Sequence, residues 1–104
     1  MIQLNIETVS KSQANEVVRL LMEENLIVNP SIMEIQKLQL VEEGKLNSIN
    51  HQLVQAKTKA LLFDVIDKLM REKFTSNMPI LYAVPIVQMD WEQGDELRAR
   101  TVKV

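Results

Sequence analysis

Residues 2–7, IQLNIE, alternate without a break: Ile2, Leu4 and Ile6 are apolar, while Gln3, Asn5 and Glu7 are polar. A period of two predicts a strand with one covered face. Ser10 follows, with Gln13 three residues on. This is the spacing of a capping box, in which the glutamine reaches back to the cap's own N–H. Ala14, Val17, Val18 and Leu21 then recur at i, i+3, i+4 and i+7. That stripe predicts a helix of about four turns, ended by Asn25, which tolerates the left-handed conformation.

Residues 31–41, SIMEIQKLQLV, alternate again, but the phase slips. Met33 and Ile35 share one parity; Leu38 and Leu40 share the other. A regular strand cannot turn both pairs to one face, so a β-bulge is expected near Gln36–Lys37. Glu42-Glu43-Gly44-Lys45 reads as a turn, with Gly44 supplying a positive φ. The return strand, from about Leu46 to Lys57, is unusually polar. Both arms exceed the usual five or six residues, as in a hairpin that projects beyond its sheet.

Thr58 is expected to cap a second helix, TKALLFDVIDKLMREKF, with Leu62, Val65, Ile66 and Leu69 as its apolar stripe. Asp64–Lys68 and Asp67–Arg71 are acid-before-base pairs on its wet side. Phe74-Thr75-Ser76-Asn77 breaks it, and residues 80–87 give a last strand. Pro79 precedes that strand and Pro85 lies within it, so it belongs at a sheet edge, because proline has no N–H for a ladder. The tail from Gln88 to Val104 fits either a short helix near Asp95–Arg98 or a further strand at RTVKV.

The order β-α-β-β-α-β is that of the ferredoxin-like fold, an α+β architecture. An antiparallel sheet with two helices on one face is expected, with an extended hairpin between the second and third strands. The last strand should lie at an edge beside the first. Residues 1–104 are read as a single domain. The long arm needs a cover for its backbone groups, and another copy of the same chain is the simplest one.

Composition narrows the function. The chain of 104 residues is 46% hydrophobic and 25% charged, with a net charge of −2. Such a balance suits a globular domain and offers no basic field for nucleic acid. No run approaches the apolar length of a membrane span. There are no cysteines, hence no disulfides, thiolate metal sites or cysteine nucleophiles. The cytoplasm is the expected location. An enzyme is not expected: two glycines make no phosphate-cradling loop, and one histidine builds no hydrolytic triad.

The run QAKTKALLFDVIDKLMREKF…MPILYAVPIVQMD resembles the CutA-type divalent-cation-tolerance proteins, relatives by fold of the PII signalling trimers. Glu42-Glu43-Gly44-Lys45 resembles their hairpin turn, and Lys57-Thr58 the lysine-threonine before their second helix. Leu62-Phe63 is similar to the leucine-phenylalanine within that helix. Ala83-Val84-Pro85-Ile86-Val87 is similar to their final strand, and VVRLLMEENL to their first helix. The likeness covers residues 2–90 and rests on the collinearity of these matches. It implies a homotrimer linked to divalent metal ion response or tolerance, acting as a binding or scaffold protein. The alternative is a PII-like sensor of a nucleotide or other small molecule in the cleft between subunits, which Lys45, Lys57 and Lys59 would line. Solvated charge is the competing reading of those three lysines. Pro85, Leu38, Leu40 and Trp91 are the expected trimer contacts.

The departures bear on metal. Asn29 or a neighbour stands where a cysteine is common, and Phe74-Thr75-Ser76-Asn77 where many members carry histidine-proline-tyrosine-glutamate. Val41 and Glu42 replace tryptophans. With the soft and imidazole ligands gone, copper or another divalent cation is not expected to be held in the family's mode. His51 is read as a solvated surface residue; a metal there would require three copies to converge. Met22, Met33 and Met70 are read as core filler, and Met78 and Met89 as filler or interface contacts. Glu42-Glu43 and Asp90-Trp91-Glu92 offer carboxylates to a hard cation, and solvated turn charges explain them as well.

Overall fold

The computed structural model describes residues 1–104. Four strands and three helices follow one another as β1 (Ile2–Thr8), α1 (Lys11–Glu23), β2 (Val28–Leu40), β3 (Leu46–Thr58), α2 (Phe63–Lys73), β4 (Ile80–Pro85) and α3 (Trp91–Arg100). The strands form one antiparallel sheet in the order β2-β3-β1-β4, the ferredoxin-like arrangement.

The expected alternation of β1 is realised. Leu4 and Ile6 pair with Ala56 and Val54 of β3, and all four side chains are buried. They meet Ala14, Val17 and Leu21 of α1 and Ile66 and Met70 of α2 in one core. Ser10 caps α1 by accepting the Gln13 N–H at 3.1 Å. The Gln13 side chain reaches back as expected, but to the Val9 N–H rather than that of the cap. Asn25 follows the helix with φ 54°, the left-handed residue predicted there.

Five expectations are corrected. Pairing runs without interruption from Ser31↔Gln55 to Leu40↔Leu46, so there is no bulge at Gln36–Lys37. The irregularity lies earlier, between Val28 and Ser31, where three steps along β2 match two along β3. Asn29 sits in it with φ 52°. Thr58 does not cap α2; it ends β3, and a 3₁₀ turn at Ala60–Leu62 leads into the helix. Val65 is not part of the buried stripe: it is 45% exposed, whereas Leu62, Ile66 and Met70 are fully enclosed. Met33 is exposed rather than core filler. On the wet side of α2, Asp67–Arg71 forms an ion pair at 3.0 Å, and Asp64–Lys68 is not among the four pairs of the chain.

The tail takes the helical alternative. Asp90 caps α3, its Oδ1 accepting the Gln93 N–H at 3.0 Å, and RTVKV adds no strand. Lys59 Nζ donates to the carbonyls of Thr101 and Val102, and the Val102 N–H to that of Asn25.

The hairpin of β2 and β3 stretches the molecule to 52 × 30 × 19 Å, with a radius of gyration of 15.2 Å. About 13 Å is usual at this length. The accessible surface, 6895 Å², likewise exceeds the roughly 6,000 Å² of a compact chain of this mass.

Candidate functional site

The helices cover one face of the sheet and leave the other open. Side chains alternate along paired strands, so the open face carries Gln3, Asn5 and Glu7 of β1 and the residues in register with them. Apolar side chains are exposed along it: Ile80, Tyr82 and Val84 of β4 beside β1, and Met33 and Ile49 toward the arm. Lys37 Nζ crosses β3 to meet Glu7 Oε2 at 3.0 Å, tying the arm to the body of the sheet.

Beyond the helices the arm is bare on both faces. Leu38, Leu40 and Leu46 point to the helix side but extend past it; Leu40 is 69% and Leu46 66% exposed. Met33, Ile35 and Ile49 point the other way. The slipped hydrophobic phase in the sequence therefore marks a strand with two apolar faces.

The sheet has two unpaired rims, along β2 and along β4. Ile86 N–H donates to the Met1 carbonyl, so the alternate positions Leu81, Ala83 and Pro85 face outward from β4. Pro85 thus places its missing donor on the outer rim, where no ladder bond is lost.

The four expected interface residues divide between opposite ends of the sheet. Leu38 and Leu40 lie near the arm tip, whereas Pro85 pairs with Ile2 at the far end of the body. Trp91 opens α3 beyond Pro85 and is 74% exposed. All four are solvent-facing in one chain, and one chain does not bring the two pairs together.

The other candidates are scattered. His51 pairs with Ile35 on the open face, Glu42 and Glu43 occupy the arm tip, and Asp90 is engaged by Gln93. No three His, Cys, Asp or Glu side chains gather in a way that would hold a metal ion. The donor set of one chain therefore does not fit a resident metal centre. The lysines also part company: Lys45 follows the arm turn and Lys59 binds the tail carbonyls.

Lys57 alone of the three faces a hollow. A notch of about 70 Å³ opens at the base of the open face, lined by Gln3, Asn29, Ser31, Gln55, Ala56 and Lys57. Beside it Asn5, only 3% exposed, accepts from Gln3 Nε2 at 3.4 Å and Gln55 Nε2 at 3.0 Å through its Oδ1. Sequence reasoning missed this cluster, since its members come from three strands. The polar alternation of β1 was the available signal.

Solved CutA structures share the fold. The CutA1 of Pyrococcus horikoshii aligns at a TM-score of 0.85 and 19% identity, covering 99% of this chain and 100% of that one. The CutA1 of Oryza sativa gives 0.84 and 19%, covering 99% and 94%. A structure described as the periplasmic divalent cation tolerance protein CutA of Archaeoglobus fulgidus gives 0.81 and 21%, covering 96% and 98%. No protein-family model and no curated protein sequence matches the chain. At these identities the likeness establishes the fold, and it points to the proteins that the sequence resembles. No helix is long and apolar enough to cross a membrane.

Proposed function

We propose that the chain is a divergent CutA-type protein: a single-domain subunit of a homotrimer that acts by binding or scaffolding, without catalysis, in the response to divalent metal ions. The observation that carries the reading is the arm, apolar on both faces and exposed along most of its length. Apolar area of this extent is expected to be covered in a working protein. Near-complete alignment with CutA1 structures supports the family reading, and the description of the Archaeoglobus fulgidus protein supports the divalent-cation label. The cytoplasm is the compartment proposed, on composition.

One chain by itself gathers no metal-ligating cluster, so a divalent ion bound by the protein would have to draw its ligands from more than one subunit. Light scattering tests the assembly: the expected mass is three times the 12.0 kDa of the chain. A monomer at micromolar concentration would overturn the reading. Calorimetry with Cu²⁺, Zn²⁺ and adenine nucleotides tests what is bound. Tight nucleotide binding would replace the scaffold reading by the PII-like sensor.

A further inference from the structure

The notch beside Asn5 has the chemistry of a small-anion site. Its origin is the irregularity at the start of β2. One extra residue between Val28 and Ser31 separates β2 from β3, and Asn29 turns through φ 52° there. Bulges of this kind re-aim side chains and occur disproportionately beside functional sites. Asn29 and Ser31 of β2 line the hollow with Gln55 and Lys57 of β3 and Gln3 of β1.

The lining offers an ammonium, three carboxamides and a hydroxyl, and no carboxylate. Lys57 is half-buried and takes part in none of the ion pairs of the chain. An ammonium with no counter-charge beside it is open to a negative partner. Below it, the bonds from Gln3 and Gln55 to the buried Asn5 fix two carboxamides in place before any ligand arrives. Such positioning lowers the ordering cost of binding. The size sets the other limit. The hollow, about 70 Å³, suits a group of a few heavy atoms.

We propose that this notch binds a small oxyanion, a carboxylate or a phosphate group, held by the Lys57 ammonium and by N–H and O–H donors of Asn29, Ser31 and Gln55. All six lining residues come from one chain, so a monomer can be tested for the site as well as the proposed trimer.

The experiment is an NMR titration of the assembled protein with sodium phosphate and, separately, sodium acetate, at ionic strength held constant with sodium chloride. The expected result is saturable shifts confined to the side-chain amides of Asn29 and Gln55 and the backbone of Ser31 and Lys57. Stronger saturation by phosphate or by acetate identifies the preferred anion class. Lys57→Met should raise the half-saturating concentration about tenfold or more, the loss of one charge-assisted contact. Lys103→Met, an exposed tail lysine, should leave it unchanged. The proposal is overturned by non-saturating shifts, by equal binding to Lys57→Met, or by shifts spread over all lysines. It is also overturned if Lys57→Met lowers the light-scattering mass, since Lys57 would then pair with an acid of a neighbouring chain. A monomeric wild-type protein that still binds anions would sink the trimer and leave this site standing.

Discussion

The Thr58 hydroxyl donates to the Leu26 carbonyl at 2.6 Å, joining the last residue of β3 to the connection between α1 and β2. Both residues are buried. Thr58→Val keeps the shape and removes the donor, which leaves the carbonyl without this partner. The expected cost is about 1–3 kcal/mol, read as a lower urea midpoint at fixed protein concentration. An unchanged midpoint would show that the bond contributes nothing.

Neighbours on α2 should behave unlike one another. Ile66 is wholly enclosed, so Ile66→Ala is expected to destabilise by about 2–5 kcal/mol. Val65, one residue earlier, is 45% exposed, and Val65→Ala should change stability by about 0.5 kcal/mol or less. Equal losses at both positions would mean that the helix is rotated from the orientation described.

The arm can be tested without disturbing the core. Leu38→Lys combined with Leu40→Lys places two charges where one chain exposes two leucines. Far-ultraviolet circular dichroism should be preserved while the light-scattering mass falls. Retention of the full mass would remove Leu38 and Leu40 from the interface, and Trp91→Ala would then be the variant to compare.

Asp90 gives a pH dependence of known sign. Hydrogen bonds from the Gln93 backbone, then from its side chain, hold the Asp90 carboxyl below the usual carboxylate range. A folded-state value that is depressed stabilises the cap above the unfolded value, about 3.9. That contribution is lost as pH falls through the folded value. In a carboxyl-detected NMR titration Asp90 should therefore have its midpoint below the ordinary aspartate value, with the Gln93 amide shifting in step. A midpoint at or above the ordinary value would contradict the cap.

The sequence made the fold legible wherever one face of an element meets the core. Ile2, Leu4 and Ile6, or Ala14, Val17 and Leu21, reveal their element because only one side of it is apolar. The same logic failed on the arm. Leu38 and Leu40 fall out of phase with Met33 and Ile35 because both faces are apolar, and no kink follows. The true irregularity was hidden in Val28-Asn29-Pro30-Ser31, where a proline and a left-handed asparagine resemble a loop. Thr58 fits a helix cap by type, but its hydroxyl has a distant partner that local spacing cannot show. Asp90 with Gln93 is a cap signal that was overlooked because the helix after it is weakly amphipathic. The notch was least visible, since Gln3, Asn29 and Lys57 become neighbours only through pairing across three strands.

Pro85 also limits growth by strand addition. On the outer side of β4 only Leu81 and Ala83 present N–H groups, for Pro85 has none. A guest strand laid there finds two donors and then a stop, while the opposite border of the sheet runs for 13 residues. The two borders cannot match along their full lengths, so stacking of identical subunits by backbone bonds alone is frustrated. In the trimer proposed above, stoichiometry is then left to side chains, and Pro85→Thr, which restores a third donor, is expected to replace that closed particle by open-ended ribbons.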